Sequence, residues 1–235
     1  MLLPKVRPAI AADAKQMGAL HVAASRRVYA GLVPGRALDA ITPTERARRW
    51  AESLTASRPD DRIFVSESNA GIVGLGHCGP QRTRTLPFAG EFFCLYVDPD
   101  TQRRGVGTAL MIVMARFLIG HGMGAASLWV ARDNFAARRF YDRLGGTIFA
   151  EKQKEHGDFV LAEVAYGWPA VSTISEAQTQ RPARKGTPPY RLSRTEDDIS
   201  GAVNDLTDNV RYWHKADMRQ RPLWACCTAY LDLKT

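Results

Sequence analysis

Hydrophobic positions in the first 168 residues fall into stretches with either a helical or a strand period. Met17, Leu20, Ala24 and Val28 recur at i, i+3, i+7 and i+11 and so share one helix face. Asp13, with Gln16 three residues on, reads as a capping box at its start, and Gly31 and Pro34-Gly35 end it. Thr42 as N-cap, Pro43 and Glu45 open a second helix, with Ala47, Trp50, Ala51 and Leu54 on its apolar face and Arg46, Arg48 and Arg49 off it. Gly105 to Gly120 is apolar nearly all round, the pattern of a buried helix. Asn134 to Leu144 reads as a further helix closed by Gly145-Gly146. Strands are expected at Lys5–Ile10, Arg62–Glu67, Gly71–His77, Glu91–Val97, Leu128–Ala131, Thr147–Glu151 and Phe159–Trp168. The order β, α, α, β, β, β, α, β, α, β, β predicts an α/β fold with a mixed sheet, not a regular βαβ repeat.

The pattern fades near Trp168-Pro169, where a stretch rich in Ser, Thr, Gln and Pro begins and runs to Pro189. Two parts are therefore expected: residues 1–169 as the folded domain, and residues 170–235 as a tail that is largely unpacked. Tyr212, Trp213, His214 and Lys215 mix aromatic and basic side chains, but no groove-reading motif accompanies them, so nucleic acid is disfavoured as a partner.

Composition narrows the classes. The hydrophobic share is 45% and the charged share 24%, which excludes a chain disordered throughout. Four cysteines in 235 residues exclude a disulfide scaffold, and Cys78 and Cys94 are expected as buried thiols. The most apolar run, Leu110 to Ile119, contains Arg116 and falls short of the roughly 20 residues that span a bilayer. Met1 to Arg7 carries no apolar core of signal-peptide length, so a cytoplasmic protein without a membrane partner is expected. His77, His121 and His156 show no metal-ligand spacing, and no metal is expected. The net charge of +8 favours an anionic partner: nucleic acid, a membrane surface or an anionic cofactor. Residues 1–169 hold 22 Lys and Arg against 16 Asp and Glu, so most of the excess lies there.

An anion-binding loop lies in the same part. Gln102-Arg103-Arg104-Gly105-Val106-Gly107-Thr108 joins a strand to the buried helix. Glycines let the backbone close around a ligand, and the first helical turn offers unpaired N–H groups and the positive end of the dipole. Phosphate suits such a site best. The loop lacks the Gly-Lys-Ser/Thr ending of a Walker loop and the third glycine of a dinucleotide fingerprint. An ordinary tight strand-to-helix turn fits the same letters.

Strand, Asp98-Pro99, then Gln-x-x-Gly-x-Gly and a buried helix resembles the acyl-CoA-binding motif of the GCN5-related N-acetyltransferase (GNAT) superfamily. Leu128-Trp129-Val130-Ala131-Arg132-Asp133-Asn134, then Ala137, Phe140-Tyr141 and Leu144-Gly145, resembles that superfamily's second block, with Gly145-Gly146 in place of its usual Gly-Phe ending. Val28 to Pro34 resembles the substrate-side helix end of many bacterial members. The resemblance covers about residues 1–168 and implies a mixed, mostly antiparallel sheet flanked by helices, the acyl-CoA N-acyltransferase fold.

It also implies roles. The backbone of Leu95, Tyr96 and Val97 should pair with the pantetheine arm of acetyl-CoA, with one N–H, on Val97, as an oxyanion donor. Arg103, Arg104, Gly105, Val106, Gly107 and Thr108 should hold the pyrophosphate, and Asn134 should face the cofactor two helical turns before Tyr141. Tyr141 takes the place of the residue that protonates the departing thiolate. Glu91, six residues before Val97, matches the general base of the histone-acetylating members. A lysine-like amine of pKa near 10.4 costs about 4.6 kcal/mol to deprotonate at neutral pH, which gives a base work to do. Trp129 stands where the ribosomal-protein acetylating members carry a Glu, a departure from that subclass. Arg132, Arg138, Arg139 and Arg143 are either a solvated face or contacts for the 3′-phosphate of CoA. Tyr29, Trp50 and a loop from Lys152 to Asp158 should border the acceptor, with core packing the better reading for Trp50.

The expected activity is acetyl transfer from acetyl-CoA to a primary amine of a small molecule, by direct attack. A protein, peptide or aminoacyl-tRNA amine is the alternative acceptor. A non-catalytic acyl-CoA-binding module is the alternative class. A homodimer stays open.

Overall fold

The computed structural model describes residues 5–56, 58–82 and 86–179. Among the described residues seven strands are formed: β1 (Lys5–Pro8), β2 (Arg62–Ser68), β3 (Gly71–Pro80), β4 (Gly90–Val97), β5 (Ala126–Ala131), β6 (Thr147–His156) and β7 (Phe159–Trp168). The helices are α1 (Ala14–Tyr29), α2 (Gly35–Asp39), α3 (Pro43–Thr55), α4 (Val106–Gly120), α5 (Phe135–Arg143) and α6 (Thr173–Thr179). The strands make one sheet of order β1-β2-β3-β4-β5-β7-β6. Neighbours are antiparallel except β4 and β5, which run parallel. This is the mixed, mostly antiparallel α/β architecture expected.

The two faces carry separate cores. On one, α4, α5 and α6 pack through Leu110, Met114, Leu118, Tyr141 and Ile174 onto Val164, Tyr166 and Trp168 of β7. On the other, Met17, Leu20 and Trp50 of α1 and α3 pack onto Ile63, Leu75, Cys94 and Tyr96. Glycines set how closely helices approach. A Cβ on Gly74 would lie 2.6 Å from Val106 Cγ1, and one on Gly76 would lie 2.8 Å from Met114 Sδ, so α4 sits directly on the backbone of β3.

Several local expectations are met. The Thr42 hydroxyl accepts from the Glu45 N–H at 3.3 Å and caps α3. Cys78 and Cys94 are buried cysteines outside any disulfide. Others are corrected by contacts distant in sequence. Gln16 makes no capping box: its Oε1 accepts from the Ile72 N–H of β3 at 3.0 Å. Asp13 instead accepts from the Ile10 N–H at 2.8 Å and pairs with Arg7 at 2.7 Å. Arg46, off the apolar stripe of its helix, is nonetheless buried. The stretch Lys152 to His156, expected as loop, completes β6.

Packing continues past the boundary expected after residue 169. Val171 and Ile174 are both 0% exposed within the main core, and Val171 N–H donates to Gly124 O at 2.9 Å. The rest of the expected tail, 180–235, lies outside the described residues.

Candidate active site

A wedge opens between β4 and β5. Their pairing is confined to Gly90 with Ala126 and Glu91 with Ser127. The cause is visible one strand away. His77 of β3 opposes Cys94 but Cys78 opposes Phe92, so Phe93 is the extra residue of a bulge in β4. A bulge bends and twists its strand. Phe93 and Cys94 then turn to the same side, Phe93 against His77 at 4.7 Å between rings and Cys94 into the α1–α3 core. Past the bulge, among the described residues, β4 pairs with β3 and β5 with β7. Antiparallel pairing uses alternate backbone groups on each edge, so those of Leu95 to Val97 not spent on β3 face the wedge.

The loop after β4 ends on the same opening. Asp98 Oδ1 accepts from the Asp100 N–H at 2.8 Å and shapes a single 3-10 turn. Arg103 has φ 61° and Gly105 φ 88°, both left-handed. Gly105 is the N-cap of α4 and supplies no capping side chain. The first intrahelical bond runs from Ala109 N–H to Gly105 O at 2.9 Å, which leaves the N–H groups of Val106, Gly107 and Thr108 without helical acceptors. Arg103 and Arg104 are exposed beside them. A Cβ on Gly107 would lie 3.3 Å from the Phe140 ring and 3.6 Å from Val97 Cγ2. The glycine loop, the tip of β4 and α5 therefore meet at one place.

Tyr141 on α5 is buried in the core that Leu95, Val97 and Phe140 border. Its ring centre lies 5.3 Å from that of Phe140, 5.6 Å from Tyr166 and 6.0 Å from Trp168. Two of those neighbours are anchored, Tyr166 by donating to Asp142 Oδ1 at 2.8 Å and Trp168 by donating from Nε1 to Leu144 O at 2.9 Å. The aromatic packing fixes the Tyr141 ring. Asn134 lies at the start of the same helix, but its Oδ1 accepts from the Ala137 N–H at 3.1 Å as the α5 N-cap. Its oxygen thus has a structural use that sequence alone did not assign. Arg138 donates to Arg132 O at 2.8 Å.

Glu91 is buried at the closed end of the wedge, and both its oxygens are engaged. Oε1 lies 2.5 Å from Arg82 Nη2, and Oε2 accepts from the Arg82 backbone N–H at 3.0 Å. The Arg82 guanidinium in turn covers the Phe93 ring at 4.2 Å. Behind it, Asp61 Oδ1 lies 2.5 Å from His77 Nε2, a pair joining the start of β2 to β3 that sequence reasoning missed. Trp50 is 2% exposed and belongs to the core. His21, 1% exposed, stacks on Tyr96 at 4.3 Å, and burial pushes its pKa down to about 3, helped by Arg46 and Arg49.

The sheet face opposite α4 holds a second polar group. Trp129 of β5, Lys152 of β6 and Glu163 of β7 share it. The Lys152 ammonium lies 3.7 Å from the Trp129 ring centre and 3.3 Å from Glu163 Oε2. Toward the tip of the β6–β7 hairpin, Phe159 and Leu161 on this face pack against Tyr29, Leu32, Val33 and Leu38 of the α1–α2 segment.

Residues 34–146 match the model of the acetyltransferase (GNAT) family. The uncharacterized N-acetyltransferase YuaI of Bacillus subtilis is 31% identical over 170 residues, 72% of this chain and 95% of that protein. The mycothiol acetyltransferase of Mycobacteroides abscessus is 32% identical over 126 residues, which cover 54% of this chain but only 38% of that longer protein. Among solved structures, yncA of Salmonella typhimurium, a putative acetyltransferase with its cofactor acetyl-CoA, superposes with a TM-score of 0.53 at 19% identity, over 71% of this chain and 94% of that one.

Proposed function

The chain belongs to the acetyltransferase (GNAT) family, and from that premise we propose that it moves an acetyl group from acetyl-CoA directly to a primary amine of a small molecule. The observation that carries this reading is the convergence of the wedge, where β4 has parted from β5, with a helix N-terminus that has no capping side chain. Acetyl-CoA brings a pyrophosphate, an amide-rich arm and an activated thioester. The N–H groups of Val106, Gly107 and Thr108 suit the first, with Arg103 and Arg104 adding charge beside Gly105. The β4 edge along Leu95, Tyr96 and Val97, beyond the last pair with β5, suits the second. An N–H on that edge, on Val97 in our assignment, polarises the thioester carbonyl.

Tyr141 is assigned to protonate the departing thiolate. A thiol pKa near 8.5 makes the thiolate a fair leaving group, so its contribution is modest. Glu91 is assigned as the general base, and its contacts with Arg82 hold it in place at the closed end of the wedge. Asn134 serves the cofactor side through its cap, which fixes the start of the Tyr141 helix. No helix among the described residues is long and apolar enough to cross a membrane, and we place the enzyme in the cytoplasm with its donor.

Calorimetric titration with acetyl-CoA, with ATP as control, tests the first part. Acetyl-CoA should bind and ATP should not. Free thiol released from acetyl-CoA in the presence of primary amines tests the second. Tyr141→Phe should lower turnover by about tenfold or more with acetyl-CoA affinity unchanged. Absence of acetyl-CoA binding to folded protein overturns the reading, and unchanged turnover removes Tyr141 from it.

A further inference from the structure

We propose that Trp129 and Glu163 form a seat for the ammonium group of a cationic acceptor, and that the side chain of Lys152 is its internal occupant. The use of this seat in catalysis rests on the acetyl-transfer reading above; its affinity for ammonium does not.

The argument begins with position. Trp129 is two residues beyond the last β4–β5 pair, so it stands where the wedge begins to open. Glu163 pairs in register with Ala131 of β5 on one side and with Lys152 of β6 on the other. On β7 it lies between Leu161, which packs against the α1–α2 segment, and Ala165, which packs beside Trp129. The group therefore borders both the wedge and the segment around Tyr29. Its face is the one opposite α4 and α5, so a molecule there approaches the wedge without crossing the glycine loop.

The chemistry is that of an ammonium site. An aromatic face and a carboxylate are the two groups that recognise a cationic amine, and both meet one here. Glu163 is 4% exposed, whereas the Lys152 side chain keeps 36% of its surface. Burial pushes the Glu163 carboxyl up, and Lys152 and then Lys154 pull it back, so the carboxylate depends on a cation beside it. Yet Glu163 Oε2 makes no hydrogen bond of good geometry. Lys152 sits on β6, the edge strand, at the end of a flexible stem. Swinging it into water while another ammonium takes its place exchanges one cation for another. Glu163 is never left buried and unpaired, which would be the costly step. A fixed seat with a displaceable lysine is the result.

The test exploits opposite signs. The probe is butylammonium, with butanol as the uncharged control, and binding is read by calorimetry on the full chain without acetyl-CoA. Lys152→Met should tighten butylammonium binding at least tenfold over the parent, because the competitor is gone. Glu163→Gln should weaken it to the level of butanol, and Lys152→Met with Glu163→Gln should stay weak. If the Lys152 variant does not fold, the Glu163→Gln comparison alone decides. Equal binding in the parent and Glu163→Gln, or a loss in Lys152→Met, makes the trio a structural ion pair and overturns the seat. Thiol release measured in parallel separates the two claims. Release with an unaltered Glu163→Gln affinity leaves the acetyl-transfer reading standing and removes the seat, while tight ammonium binding without release does the reverse.

Discussion

Gly105 and Gly107 stand two residues apart and are needed for different reasons. Gly105 has open space around its Cα but a φ of 88°, which a side chain would strain. Gly107 has an ordinary helical backbone but no room, with Phe140 at 3.3 Å. Gly105→Ala should therefore cost about 1 kcal/mol of stability, read as a lower Tm, with a small effect on acetyl-CoA affinity. Gly107→Val should press on Phe140 and Val97 and weaken acetyl-CoA binding at least tenfold in a calorimetric titration. Unchanged affinity in Gly107→Val separates the loop from the cofactor. The sequence revealed that glycines were required here. Which one serves conformation and which one serves contact depends on α5, about 30 residues further along the chain.

At the scale of elements, α1 and α3 are joined to the sheet through a neutral histidine. Gly18 brings the helices together so closely that a Cβ there would lie 2.5 Å from Ala47 N, and His21 fills the space between Trp50 and Tyr96. Burial, with Arg46 and Arg49 nearby, lowers the His21 pKa from 6.5 to about 3. The unfolded chain takes up this proton below about pH 6.5 and the folded one only near 3. Between those values the unfolded state binds more protons, so stability falls as pH falls, by up to roughly 4 kcal/mol at the acid end. A Tm series from pH 7 to 4 should decline more gently in His21→Phe than in the parent. Equal slopes remove His21 as the cause. The wedge is likewise a property of elements: the extra residue Phe93 means nothing in β4 alone and becomes a bulge only against β3.

For the whole molecule, the sheet is closed at one end by residues that follow it. Val171 and Ile174 return across the β5 end to the α4 core, where α6 begins. Each fully buried aliphatic side chain is worth about 1.5–3 kcal/mol. A chain ending at Trp168 should melt well below one ending at Thr179, because it loses both. If the two melt together, the α6 contacts contribute nothing and the packed domain ends with β7.

The sequence by itself determined whatever depends on neighbours within a turn or two: the Thr42 cap, the glycine-rich entry to α4, the apolar stripes and the succession of helices and strands along the chain. These signals are local because capping and backbone conformation are settled by residues a few positions away. α2 escaped because five residues are too few for a period to show. Tertiary structure alone decided the partners: Arg7 for Asp13, Arg82 for Glu91, Asp61 for His77, and the meeting of Trp129, Lys152 and Glu163 from three strands. A side chain's polarity fixes that it needs a partner when buried, but which partner reaches it is set by register and sheet order. Those are global properties, since sliding a strand by one residue turns every side chain on it to the opposite face.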